Sequence, residues 1–116
     1  MHRIEIWRLE ELGMLLGDLT AVLKAGRFPE WAGVFDHFSH ELALIREAGI
    51  GNPSELRRLV RNIQLCFEGS SGFLHLVLIG KDEDEGAALN LRLTLLKARM
   101  TEALEVIDLR LVDRVN

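Results

Sequence analysis

The stretch FEGSSGFLHLVLIGKDEDEG, Phe67 to Gly86, decides how this chain is read, because it is the one long interval without the periodicity of an amphipathic helix. It divides into three parts. Gly69-Ser70-Ser71-Gly72 stops a helix, and it lacks the Lys-Ser/Thr ending of a phosphate-binding loop. Phe73 to Ile79 is a short apolar run that fits either an extended segment or a single helical turn. Glycines at both ends favour an extended or irregular segment laid across the molecule, with Phe73 and alternate aliphatics turned inward. Such a segment has no strand to pair with in the same chain, so its edge would be open to another chain. The third part, Asp82-Glu83-Asp84-Glu85, is expected just before a helix, where carboxylates stabilise the N-terminal dipole and Asp84 can serve as N-cap.

Working outward, the last helix is expected from about Ala87 to Val112. Leu89, Leu93, Leu96, Met100, Ala103, Ile107 and Leu111 recur at three- and four-residue spacing, the longest apolar stripe in the chain. Leu91, Leu95, Val106 and Leu109 form a second apolar side, so this helix either packs on two sides within one molecule or supports a dimer. The first helix, Arg3 to Ala25, carries Leu12, Leu15, Leu16, Leu19, Val22 and Leu23 on one face. Trp7, Met14 and Ala21 lie on a nearly opposite stripe, beside Glu10, Glu11 and Asp18, as a partner surface or a cover for the bundle end. Gly26 is expected as the C′ residue of this helix and Pro29 in the first turn of the next.

The second helix carries Trp31, Val34, Phe35, Phe38, Leu42 and Ile45, with Trp31 and Phe38 expected to be buried. Ala48 to Gly51 ends it. Asn52-Pro53-Ser54-Glu55 then starts the third, with Asn52 as N-cap, and Leu56, Leu59, Val60, Ile63, Cys66 and Phe67 follow as its apolar stripe. The expectation is therefore an all-α, four-helix bundle over residues 1–116 as a single helical domain, with a long connection before the last helix.

Composition agrees with a folded chain: 116 residues, 48% hydrophobic and 28% charged. The net charge of −4 disfavours nucleic-acid phosphates as a partner and favours a basic protein. A single cysteine, Cys66, excludes an internal disulfide. The charged N-terminal residues do not resemble an export signal, and no window approaches a membrane span, so a cytoplasmic protein with no membrane partner is expected.

Candidate chemistry is sparse. His37, His40 and Glu41 share a helix, but three side chains in the order His-Phe-Ser-His-Glu, with no further ligand, do not make a zinc motif. Ser70 and Ser71 lack a base, and Cys66 falls on an apolar stripe where a thiol is inert. Arg57, Arg58 and Arg61 read as a solvated helix face. No catalytic residues, metal or cofactor are assigned. The candidate contact residues are Asp82, Glu83, Asp84, Glu85, Trp7 and His75.

Several features together resemble a small bacterial helical family found beside polymorphic toxins and suspected of including immunity proteins. They are the Leu-rich first helix running into Gly26, Glu30-Trp31-Ala32, the turn at Gly69 to Gly72, Leu76-Val77-Leu78, and Asn90 with Leu93 and Leu96. The chain departs from that pattern at Ser70-Ser71 and Leu74-His75. The resemblance implies a binding protein, an immunity protein that neutralises a cognate and basic toxin domain. A different class, a dimeric helical protein with a ligand pocket near Trp31, Phe38, His37 and His75, is the alternative, and a homodimer fits either.

Overall fold

The structure, a computed structural model, describes residues 4–49, 53–69 and 71–115. Among these lie four helices, α1 (Ile6–Ala25), α2 (Pro29–Ala48), α3 (Pro53–Cys66) and α4 (Glu83–Val115), with a short 3₁₀ turn at Gly72–His75 and no strand. The fold is the expected all-α four-helix bundle. Expectations on Arg3, on the turn at Ile50 and Gly51, on the Asn52 cap and on Ser70 lie outside the described residues.

The helices pack as a closed ring, each against its neighbours in chain order and α4 back against α1. Short connections force α1 and α2 antiparallel. The direction of α4 follows from two ion pairs with α1: Arg110 lies 3.5 Å from Glu5, and Arg92 lies 4.0 Å from Asp18. As residue numbers rise on one helix they fall on the other. With 33 residues, α4 has an axial length of about 50 Å at 1.5 Å per residue, which matches the 51 Å long axis of the molecule.

The stripes read from the sequence form the core. Leu12, Leu16, Leu19 and Leu23 of α1 meet Phe35 and Leu42 of α2, Leu56, Leu59, Val60 and Ile63 of α3, and Leu93, Met100, Ile107 and Leu111 of α4. No buried residue among those described is polar or charged. Five residues of the expected stripes sit differently, and among them Cys66, Phe67 and Leu89 are half-buried. Trp31 is only half-buried, and Val34 is 36% exposed, because Phe35 takes the inward position beside it. Phe73, from the connection, is fully buried and packs beside Trp31. Its ring centroid is 4.9 Å from that of Phe35 and 5.3 Å from those of Trp31 and Phe67.

At the start of α1, the Glu5 carboxylate pairs with Arg8 at 2.6 Å as well as with Arg110. A hydrogen bond from its own N–H, then the Arg8 guanidinium, hold the Glu5 carboxyl below the ordinary carboxylate range. The pin is thus present at neutral pH and weakens as pH falls through that lowered value.

The end of α1 corrects one expectation in detail. Phe28 N–H donates to Leu23 C=O at 2.9 Å and Arg27 N–H to Lys24 C=O at 3.3 Å, the paired bonds of a Schellman motif. The left-handed residue of that motif is Arg27, with φ 70°, while Gly26 has an ordinary φ of −86°. Glycine is required at 26 for a different reason. A Cβ there would lie 2.7 Å from the Cβ of Leu78, which packs directly onto it. The two adjacent positions should therefore respond in opposite directions. Gly26→Ala should lower the unfolding free energy by about 1–3 kcal/mol through overpacking. Arg27→Gly should raise it by about 0.5–1 kcal/mol by relieving the left-handed backbone. Urea denaturation of the two variants checks both signs.

Candidate functional site

The connection between α3 and α4 is built around one side chain, Asn90. Leu78 N–H donates to Asn90 Oδ1 at 2.8 Å, and Asn90 Nδ2 donates to Leu78 C=O at 2.9 Å and to Gly86 C=O at 2.8 Å. A primary amide offers a donor and an acceptor side by side, so it pairs with one extended residue much as a neighbouring strand would. Ile79 N–H donates to Gly26 C=O at 3.2 Å. These bonds overturn the expected open edge at Phe73 to Ile79: the N–H groups of Leu78 and Ile79 and the C=O of Leu78 are already taken.

The run itself splits. Phe73 to His75 belong to the 3₁₀ turn, held by Ser71 Oγ accepting from Phe73 N–H at 3.2 Å; Leu76 is extended, and residues 77–80 continue without helix or strand. The turn shifts the alternation. Phe73 and Leu78 are buried and Leu76 half-buried, while Val77 and Ile79 are 69% and 52% exposed. Close backbone contact fixes the far end, since a Cβ on Gly80 would lie 2.5 Å from Gly86 N and 2.8 Å from Glu85 C.

These contacts position the acids. Asp82, not the expected Asp84, caps α4: its carboxylate accepts from Glu85 N–H at 2.8 Å. Glu85 reaches back to accept from Lys81 N–H at 3.3 Å, a variant of the capping box. The helix therefore begins at Glu83, before the expected Ala87, and runs straight through Gly86. Two of the four acids serve the cap. Glu83 and Asp84 are exposed on the first turn and make no ion pair among the described residues. His75 is exposed, with Nε2 3.4 Å from Gly69 C=O, and residues 76–80 lie between it and the acids.

Trp7 is elsewhere. Its indole is 51% exposed and carries the Arg8 guanidinium 4.3 Å from the ring centroid. It lines a groove of about 290 Å³ between α1 and α4 with Met14, Arg99, Glu102 and Val106. Val106 stands about 35 Å along the helix axis from Glu83 at 1.5 Å per residue. The structure thus separates the six candidate residues, with Asp82 to Glu85 at one end, His75 beside the connection, and Trp7 on the far part of the α1/α4 face.

That face extends beyond the groove. Leu91, Leu95 and Leu109 of α4 are 62%, 57% and 62% exposed, and Met14 is 65% exposed. Of the two roles considered for the second apolar side of α4, packing within one molecule is excluded for these leucines. Only Val106 is half-buried.

The remaining polar groups have local partners. His37 Nε2 pairs with Glu41 at 2.7 Å on the surface, and His40 Nδ1 lies 2.9 Å from Asp36 C=O. Among the described residues no group of three or more His, Cys, Asp or Glu side chains is placed to hold a metal ion. Burial pushes the Cys66 thiol up, away from the thiolate, and Sγ donates to Asn62 C=O at 3.7 Å. Arg57, Arg58 and Arg61 line a shallow depression with Asp108. No described helix is long and apolar enough to cross a membrane.

Comparison with protein-family models, with curated proteins and with solved structures finds no match to the chain. The geometry alone therefore carries the reading of these surfaces. Its central element is directly testable. Asn90→Ala leaves the Leu78 N–H and C=O without partners, and should cost about 2–4 kcal/mol of stability. Asn90→Asp keeps an acceptor for Leu78 N–H but loses both donors at neutral pH, and should also destabilise. Thermal unfolding of both variants provides the check.

Proposed function

We propose that the chain is a protein-interaction module that holds a rigid acidic end against a basic protein, and that this protein is a cognate toxin which the chain neutralises by covering its working surface. The observation that carries the reading is the presentation of Glu83 and Asp84. Both project from a helical turn locked by the Asp82 cap, the Gly80–Gly86 contact and the Asn90 clamp, and neither is neutralised by a neighbour. Charges held on a fixed platform steer association without the entropy cost of ordering a loop. The net charge of −4 adds a favourable long-range field.

The resemblance to a family met beside toxins supports the immunity role, and the cytoplasm of the protected cell is the compartment that this role requires. The reading assigns the chain no reaction. The aromatic region proposed as a ligand pocket near Trp31 and Phe38 is occupied by Phe73, and His37 stands 71% exposed, so nothing favours the ligand-binding alternative.

The test begins with capture of the partner from extract of the native cell and assay of its toxicity alone. Association kinetics are then compared for the native chain and Glu83→Gln/Asp84→Asn, which spares both capping acids. Severalfold slower association with a flatter salt dependence is expected, because rim charges act mainly on the on-rate. Unchanged kinetics would remove the acidic end as the contact.

A further inference from the structure

We propose that two copies of this chain pack antiparallel through the α1/α4 face, about a two-fold axis at the level of Met14 and Arg99. The inference goes beyond the acidic end and uses none of its residues.

The first argument is symmetry in the exposed stripes. At 100° per residue, Leu91 and Leu109 point directly away from the core of α4, and Leu95 and Val106 lie on the side nearer α1. Turning this helix end for end about a point between Met100 and Thr101 brings Leu91 opposite Leu109 of a second copy, and Leu95 opposite Val106. On α1 the outer stripe is Trp7, Met14 and Ala21, which is symmetric about Met14. The same rotation sets Trp7 over Ala21 of the second copy, and Met14 over its own equivalent.

The second argument is that these two centres lie close together. The Glu5–Arg110 and Asp18–Arg92 pairs fix the relative level of the helices, and interpolation between them places Met14 level with residues 97 and 98 of α4, about 4–5 Å along the axis from the point between Met100 and Thr101. Met14 and Arg99 in fact line the same groove. An axis at the level of Arg99 lies within about 2–3 Å of both centres and can serve both helices, as a closed isologous contact requires.

The third argument is charge. The same rotation brings Arg99 of each copy to Glu102 of the other, two opposite-charge pairs flanking the axis, and neither residue has an ion-pair partner among the described residues. The carboxylates that would approach one another, Glu10 and Asp18, already lie 3.9 and 4.0 Å from Arg46 and Arg92. From Leu91 to Leu109 the face is about 27 Å long and two helices wide, on the scale of surfaces that bury roughly 800 Å² per partner. The acidic ends stay clear of it, at opposite ends of the dimer.

Sedimentation velocity of the full chain at micromolar concentrations, with no partner protein, tests the proposal. The native chain should sediment as a dimer. Leu91→Glu/Leu109→Glu, at exposed positions, should sediment as a monomer with an unchanged far-ultraviolet circular dichroism spectrum. Arg99→Glu should raise the dissociation constant about tenfold by setting like charges opposite one another, and Arg99→Glu/Glu102→Arg should restore it. A native chain that is monomeric throughout would overturn the proposal and assign the face to a different protein. A dimer that tolerates the two leucine changes would overturn it too, and a double charge reversal that restores nothing would overturn the antiparallel register. Glu83→Gln/Asp84→Asn should dimerise normally, so failure of this proposal is distinguishable from failure of the acidic-end reading.

Discussion

Everything individual about this bundle depends on a side-chain amide standing in for a β-strand. An extended segment crossing the end of a helical bundle has backbone groups that no helix can satisfy, and leaving them buried and unpaired would cost more than most single contacts contribute. Asn90 supplies a donor and an acceptor to Leu78 and a further donor to Gly86 C=O, and Gly26 C=O receives Ile79 N–H. Once Leu78 is held, it must pack where Gly26 leaves room for it. Gly80 must then pass against Gly86, and α4 has a fixed place to begin.

That fixed beginning separates two surfaces of different character. One is the end of the molecule at Glu83 and Asp84, where charge is presented from a rigid turn. The other is the outer face of α1 and α4, where Trp7, Met14, Leu91, Leu95 and Leu109 lie exposed although the core is complete without them. The core contains no polar or charged residue among those described. The proposed antiparallel dimer would cover that face.

The helices were legible because each has a dominant apolar stripe at helical spacing, and a stripe of leucines such as Leu12, Leu16, Leu19 and Leu23 has few other ways to be buried. The burial of Phe73 was legible because it opens a short, strongly apolar run between glycines. What failed was local. The sequence puts the start of α4 at about Ala87 with Asp84 as its cap, whereas Asp82 caps it and it begins at Glu83, where Gly80 leaves room for the close approach to Gly86. Gly26 was assigned to a left-handed C′ position that Arg27 occupies, and no residue pattern announces an arginine there. Trp31 was expected inside because its spacing is correct, but it is half-buried, with Phe73 from a distant part of the chain packed beside it. Asn90 stands out in the sequence only as part of the resemblance, at the opening of the last helix. Its role depends on meeting Leu78, twelve residues earlier, and no periodicity encodes that meeting. Among the site residues, the acids were legible as a group, but their division into capping and free carboxylates was not.

The most direct measurement is native-state amide hydrogen exchange at Leu78. A residue outside any helix or sheet ordinarily exchanges within the range of surface loops, with a local opening free energy near zero. If the Asn90 amide holds the connection as described, the Leu78 amide should exchange only with the slow amides of the α4 core, near the global unfolding free energy. The neighbouring Val77 amide should exchange much faster. Exchange of Leu78 at the rate of an exposed loop would contradict the account, because the start of α4 and the acidic end would then have no fixed support.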